Sequence, residues 1–236
     1  MIRFESQESF VLHARLYLES SLLLELFTPD YGRISAIAKG ARRPKSRMRG
    51  LLQPFVPLLV SCVGRGELLT LCAVDSAGIS PLLSGRHLMS ALYLNELLVR
   101  LLHRHDAHPD LFWQYKATLL QLETTEDAQE ILRLFEKFLL KTLGYELPLL
   151  KDAESGALVE AENFYTFDPL RGPQLIGGKA VGDKQLPGMF KGRSLLALAE
   201  ENLKDRTVLA DVKRLMRQAL AVHLGSKPLE SRKLLV

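Results

Sequence analysis

The sequence predicts an α+β protein in two parts: a small β-barrel over residues 1–80, then a helical domain over 81–236 interrupted by an irregular insert. Three observations carry this prediction. Short apolar runs bounded by turn residues fill the first eighty positions, the apolar residues switch to helical spacing after Pro81, and Gly and Pro break any sustained period between Pro148 and Gly192.

Taken in order, PheValLeuHisAlaArgLeuTyr (10–17), LeuLeuLeuGluLeuPhe (22–27) and ArgIleSerAlaIleAlaLys (33–39) are strand-length runs, and ThrProAspTyrGly (28–32) joins the second to the third as a tight turn. Pro54 and Pro57 bracket the next run, and GlyArgGly (64–66) suits a hairpin between two apolar stretches. Five short strands with a long loop after the third fit a small barrel. Beyond Pro81, Leu88, Ala91, Leu92, Asn95, Leu98, Val99 and Leu102 recur at helical spacing, and Leu94, Leu97 and Leu101 make that helix apolar on most sides, as a core helix is. Two more helices are expected over 111–122 and 128–143, the second with Ile131, Leu134, Phe135, Phe138 and Leu139 on one face and Gly144 as its stop. The insert over 148–192 should hold only short strands. A last helix over 207–224 sets Val208, Val212, Leu215, Met216 and Ala219 inward and Lys213, Arg214 and Arg217 on the opposite side, ending at Gly225 and Pro228.

Charge is sorted along this chain. It has 31 Lys plus Arg against 27 acids, yet from Tyr31 to Gly66 there are eight basic side chains and no Asp or Glu. Six of the eight, Lys39, Arg42, Arg43, Lys45, Arg47 and Arg49, fall within eleven residues where Gly40, Pro44 and Gly50 disfavour regular structure. A flexible, acid-free cationic loop is the electrostatic footprint of a polyanion partner such as nucleic acid, because counterion release drives binding without sequence readout. A loop serving solubility alone would not need to exclude acids over so long a stretch. Residues 179–236 add twelve basic against six acidic side chains, a second positive region.

Other classes find less support. Cys62 and Cys72 are too few for a four-cysteine zinc site and sit in apolar runs, where burial as small hydrophobes is expected. No leader and no run of eighteen apolar residues is present, so a soluble, cytoplasmic, nucleoid-associated protein is expected. No phosphate loop, nucleophile elbow or paired-carboxylate motif appears, so no catalytic residue and no cofactor is assigned. His103, His105, Asp106, His108 and Asp110 form the one metal-like cluster; the rival reading as a metal-dependent hydrolase rests on it, against its reading as a polar inter-helix connection.

PheValLeuHisAlaArg (10–15), GluSerSerLeuLeuLeuGluLeuPheThr (19–28), TyrGlyArgIleSerAlaIleAlaLysGlyAlaArgArg (31–43) and LeuLeuGlnProPheValProLeu (51–58) run in order, followed by TyrLeuAsnGluLeuLeu (93–98), LeuArgLeuPheGlu (132–136), LeuGlyTyr (143–145) and LeuGlySerLysProLeuGluSerArgLysLeu (224–234). Together they resemble the bacterial recombination-repair family RecO, over nearly the whole chain. The resemblance implies an N-terminal OB-fold and a helical domain. It also implies binding of single- and double-stranded DNA, annealing of complementary strands, contact with RecR and with the tail of the single-strand-binding protein SSB, and help in placing RecA on DNA. Many relatives carry a four-cysteine zinc knuckle in the late irregular segment; residues 148–192 contain no cysteine, so zinc is expected to be absent.

On that reading Arg33, Lys39, Arg42, Arg43, Lys45, Arg47 and Arg49 are the expected phosphate contacts, with Lys213, Arg214 and Arg217 as a secondary basic region. The SSB tail is expected on a ridge of Arg133, Lys137 and Lys141 at i, i+4, i+8, with Arg133 gripping its carboxylate and Leu132 and Leu140 lining an apolar groove. Phe27, Tyr31 and Phe55 are stacking candidates, for which core or turn packing is the stronger expectation. An RNA-binding OB protein would share all of this electrostatics.

Overall fold

The computed structural model describes residues 1–177 and 188–231. Gly178, Lys179, Gly182, Lys184, Pro187, Arg232 and Lys233, which figure in the insert and the second positive region read above, lie outside the described residues. The chain forms two compact units, Met1–Thr125 joined by the chain from Leu229, and Glu126–Pro228. Residue 80 thus marks the change from strand to helix, whereas the compact units divide at Thr125.

In the first unit five strands close a barrel in the order β1-β2-β3-β5-β4: β1 Ile2–Tyr17, β2 Ser21–Thr28, β3 Gly32–Ala38, β4 Leu58–Gly64 and β5 Leu68–Ser76. This is the OB-like N-terminal sheet expected, followed by helices. β1 begins eight residues earlier than its apolar run suggests. Register irregularities between Phe4 and Gln7 and between Val11 and His13 bend it, so its first half pairs with β4 and its second with β2. A three-residue parallel seam, Ser35 to Leu68, Ala36 to Leu69 and Ile37 to Thr70, closes the barrel. Gly64 lies where a Cβ would come within 2.9 Å of the Leu69 side chain. Leu24, Leu26, Ile34, Ala36, Leu58, Val60 and Leu69 fill the interior, fully out of solvent.

The outer face of β1 and β2 is covered by α2 (Gly85–Leu101) and α3 (Pro109–Thr124). Phe10 and Phe27 present rings there to Phe112 and Tyr115, with centroids 5.3–6.2 Å apart. Buried among them, Asn95 donates to the Leu12 carbonyl at 3.0 Å and to Val11 at 3.4 Å, and accepts from the Tyr115 hydroxyl at 2.5 Å. Burial raises the Tyr115 phenol well above its ordinary pKa, so it remains a donor. This polar lock joins both helices to β1, which explains why they belong to the barrel's unit. The chain returns at its end to α2, where Glu96 accepts from the Glu230 and Ser231 amides at 2.9 and 2.8 Å.

The second unit holds α4 (Gln129–Thr142), a three-stranded sheet ordered β7-β6-β8 (β6 Phe164–Asp168, β7 Gly172–Gly177, β8 Met189–Lys191), α5 (Gly192–Ala199) and α6 (Arg206–Leu224). α6 buries Val208, Val212, Leu215, Met216 and Ala219, the stripe its periodicity predicts, and Asp205 caps it by accepting from Thr207 and Val208 amides. α5 is not legible in advance, being short and opened by Gly192. In the segment preceding β6, Asp152 accepts from the amides of Glu154 and Ser155 and the Ser155 hydroxyl through one oxygen, and from the Leu175 amide through the other. These donors, the Ser155 hydroxyl foremost, hold its carboxyl down at about 2. Among the described residues no helix is long and apolar enough to cross a membrane.

Asn95→Leu should lower stability by about 1–3 kcal/mol, because it removes the Asn95 acceptor of the buried Tyr115 hydroxyl and the Asn95 donor to the Val11 and Leu12 carbonyls. Urea unfolding should show a reduced midpoint at unchanged slope. Asp152→Ala should lower the melting temperature of the protein at pH 7. A folded pKa depressed to about 2 contributes stability that is present above the unfolded value and lost as pH falls toward 2, so the gap between wild type and variant should narrow in acid.

Candidate nucleic-acid interface

The segment from Lys39 to Pro57 leaves β3, makes one helical turn (α1, Met48–Leu51) and re-enters at β4. Its apolar residues face inward: Ala41 and Leu52 are buried in the barrel core, and Met48 and Leu51 pack against it. Gly40, at φ +69°, takes a left-handed turn that suits glycine as the chain leaves the strand. Arg42 fastens the loop to the β1–β2 turn, its amide donating to the Ser20 carbonyl at 2.9 Å and its guanidinium to the Glu19 carbonyl at 3.0 Å. With the apolar side chains committed to the core, Lys39, Arg42, Arg43, Lys45, Arg47 and Arg49 are all exposed, and among the described residues none has a carboxylate within ion-pairing distance. Six uncompensated charges on a held loop make a concentrated positive field, suited to a chain of phosphates.

Arg33 does not belong to this cluster. Six residues of β3, about 20 Å, separate it from Lys39. Its guanidinium donates to Glu25 at 3.1 Å and to the Leu102 carbonyl at 3.1 Å, and desolvation lowers its pKa against the pull of Glu25. It is a structural cation. The His103–Asp110 segment docks at this same end of β3: the His105 amide donates to the Arg33 carbonyl at 3.0 Å, Arg104 reaches Glu25 and Glu67, and the Asp106 carboxylate lies 3.2 Å from His108 Nε2. A Cβ on Gly32 would strike the Asp106 carbonyl. Among the described residues no three His, Cys, Asp or Glu side chains come together to hold a metal. The segment connects α2 to α3.

The aromatic candidates are occupied. Phe27 and Phe55 are buried, and Tyr31 stacks on Phe4 with centroids 4.4 Å apart. Cys62 is buried, where desolvation raises its thiol to about 12; Cys72, expected to be buried, is exposed because it alternates with Leu69 and Leu71, which face the barrel interior.

In the second unit the cations divide. Arg133 is buried and pairs with the buried Glu136 at 2.8 Å, so it is no exposed ridge residue, although its Nε finds no acceptor among the described residues. Leu132 and Leu140 are likewise buried in the core and do not line a groove. Lys137 donates to the Ala199 carbonyl and to Glu201, both at 2.9 Å, and the exposed Lys141 pairs with Glu146 at 2.8 Å. These two lysines border a cavity of about 560 Å³ that also takes Lys151 and the apolar run Leu147, Pro148, Leu149, Leu150. Lys151 went unnoticed in the sequence because a lone lysine in an aperiodic segment gives no signal. Arg214 pairs with Asp211 at 2.9 Å, donates to the Met189 carbonyl and lies over the Phe190 ring, so it is committed to β8. Lys213 instead lies near Arg133 and exposed Arg217; burial first, then those two charges, lower its pKa.

Arg133→Ala should destabilise the protein by about 3 kcal/mol, since removing one member of a buried pair leaves the Glu136 charge behind. The check is chemical denaturation of the variant beside Lys141→Ala, which should unfold like wild type.

Residues 1–78 match the family model for the recombination protein O N terminal, and residues 82–233 the model for the recombination protein O C terminal. The chain is 45% identical to the DNA repair protein RecO of Nitrosococcus oceani over 235 residues, covering 99% of this chain and 94% of that one. It is 43% identical to the protein of that name from Coxiella burnetii over 233 residues (99% and 98%), and 44% identical to that of Methylococcus capsulatus over 226 (96% and 90%). With matches across both halves of its length, the chain belongs to the RecO family of DNA repair and recombination proteins.

Proposed function

We propose that this protein binds single- and double-stranded DNA through the cations of the β3–β4 loop, brings complementary strands together, and acts with RecR to place RecA on DNA coated by SSB. It works by binding, without catalysing a reaction, in the cytoplasm at the nucleoid. The observation that carries this reading is the loop itself: six exposed cations with no ion-paired carboxylate among the described residues, held on the barrel by Ala41, Met48, Leu51 and Leu52. An annealer must lower the repulsion between two polyanions while leaving base edges free, and side chains that contact phosphate do both. Lys213 and Arg217 supply a second positive surface in the other unit. An RNA partner would meet the same charges; membership of a DNA repair family favours DNA, and parallel titrations with DNA and RNA strands of one sequence separate the two.

For the SSB tail, an acidic peptide ending in apolar side chains and a carboxylate, we propose the α4 face. Lys137 and Lys141 beside the Leu147–Leu150 run offer charge next to apolar surface. The joint change Lys137→Ala and Lys141→Ala should weaken a fluorescent tail peptide by about 1.5–3 kcal/mol and leave binding of bare single strands unchanged; equal loss of both, or of neither, removes the assignment.

The DNA site is tested by salt. Replacing Arg43, Lys45 and Arg47 together by Ala should flatten the slope of log K against log salt for single strands by about 2, at roughly 0.7 per phosphate contact. An unchanged slope takes the loop out of the site. Annealing of complementary oligonucleotides should proceed without ATP and in the presence of a zinc chelator; strict dependence on either would contradict the mechanism.

A further inference from the structure

Apolar surface stands exposed at the β1–β2 turn, directly beside the cationic loop. Leu16 is 70% exposed and Leu18 75%. Leu18 also holds φ +51°, a left-handed conformation that a leucine adopts at a cost and for which turns ordinarily use Gly or Asn. The tip is nonetheless fixed. Tyr17 pairs with Ser21 and Leu16 with Leu22, and Arg42 of the loop donates to both the Ser20 and Glu19 carbonyls. Because Leu22 pairs in turn with Ala38, the residue before Lys39, the turn and the loop leave the same end of the barrel. Exposed Arg15, Arg42 and Arg43 belong to these two segments; the turn's own carboxylate, Glu19, is exposed and has no ion pair among the described residues.

We propose that the Leu16–Leu18 tip is the base-contacting element of the DNA site, pressing its leucines against or between base faces while the loop cations hold the phosphates of the same single strand. This rests on the DNA-binding reading above and deepens it. Two further observations lead here. The three rings read from the sequence as stacking candidates are spent elsewhere, Phe27 and Phe55 in the interior and Tyr31 on Phe4. And exposed leucines costly to both solubility and backbone conformation sit within a field that attracts phosphates, where the apolar part of the attracted polymer is its bases. Apolar side chains inserted at base steps unstack them. Contact with base faces also leaves the Watson–Crick edges free, so a strand held this way stays competent to pair.

The test compares an oligothymidylate with an abasic strand of equal length, by fluorescence anisotropy with the full chain, and follows 2-aminopurine emission in a base-bearing strand. Wild type should prefer the base-bearing strand about tenfold and brighten 2-aminopurine on binding. The double variant Leu16→Ser, Leu18→Asn, whose asparagine tolerates the left-handed turn, should lose that preference and the brightening. It should retain wild-type affinity for the abasic strand and the wild-type salt slope, with circular dichroism confirming its fold. Equal binding of both strands by wild type overturns the proposal, as does a variant weakened equally on both. A variant with intact DNA binding but lost RecR binding overturns it too, assigning the tip to a protein. Failure of wild type to bind either strand instead overturns the DNA-binding reading itself.

Discussion

Closure of the barrel by the short parallel seam between β3 and β5 is the constraint on which the first unit depends. Only three residue pairs make it, and parallel pairing needs a long crossover between the strands it joins. Here that crossover consists of the basic loop, α1 and β4. The loop is therefore no accidental insertion. It is required by the topology, and its two ends are fixed by strands whose registers the core dictates. Ala41 and Leu52 anchor it by joining that core, which leaves the intervening cations nowhere to go but outward.

The same closure sets the barrel's opposite end to a different purpose. There Arg33, Arg104 and Glu25 form a partly buried group under the His103–His108 segment, and Gly32 makes room for the Asp106 carbonyl. The cations of this group, Arg33 and Arg104, are matched, to carboxylates and to a carbonyl. Those at the loop end are not. A single strand, β3, thus joins a structural terminus to an electrostatically open one.

Much of this was legible in the sequence where one rule governed a whole segment. β2 and β3 are strand-length runs joined by a Pro-Asp turn, and α6 keeps its period through Val208, Val212, Leu215 and Ala219. The first half of β1 was hidden because its two register irregularities interrupt the alternation by which a strand is read. Cys72 misleads for a different reason: Leu69 and Leu71 face inward, so alternation turns Cys72 outward, and a mostly apolar run does not show which of its residues face the core. Arg133 is the most instructive error. The i, i+4, i+8 spacing with Lys137 and Lys141 suggests one exposed ridge, yet Arg133 lies among Leu132, Phe135 and Glu136 on the buried face. Glu136, three residues on, was the available sign that this arginine had an internal partner.

Cations of the same chemical type therefore carry two kinds of meaning here, and composition cannot distinguish them. Arg33, Arg133 and Arg214 are each paired with an acid and at least half withdrawn from water or bound to backbone, so their field is largely spent within the protein. A phosphate approaching any of them would compete with a carboxylate already in place. Lys39, Arg43, Lys45, Arg47 and Arg49 have no carboxylate within ion-pairing distance among the described residues, and displacing the counterions that gather at such charges is entropically favourable. What distinguishes the groups is the nearest acid, which depends on strand register and helix facing rather than on how many basic residues a segment contains. In the loop the absence of acids is visible in the sequence, and the contacts that hold it after folding, to the Ser20 and Glu19 carbonyls and to the barrel core, bring no carboxylate into ion-pairing distance of its cations among the described residues.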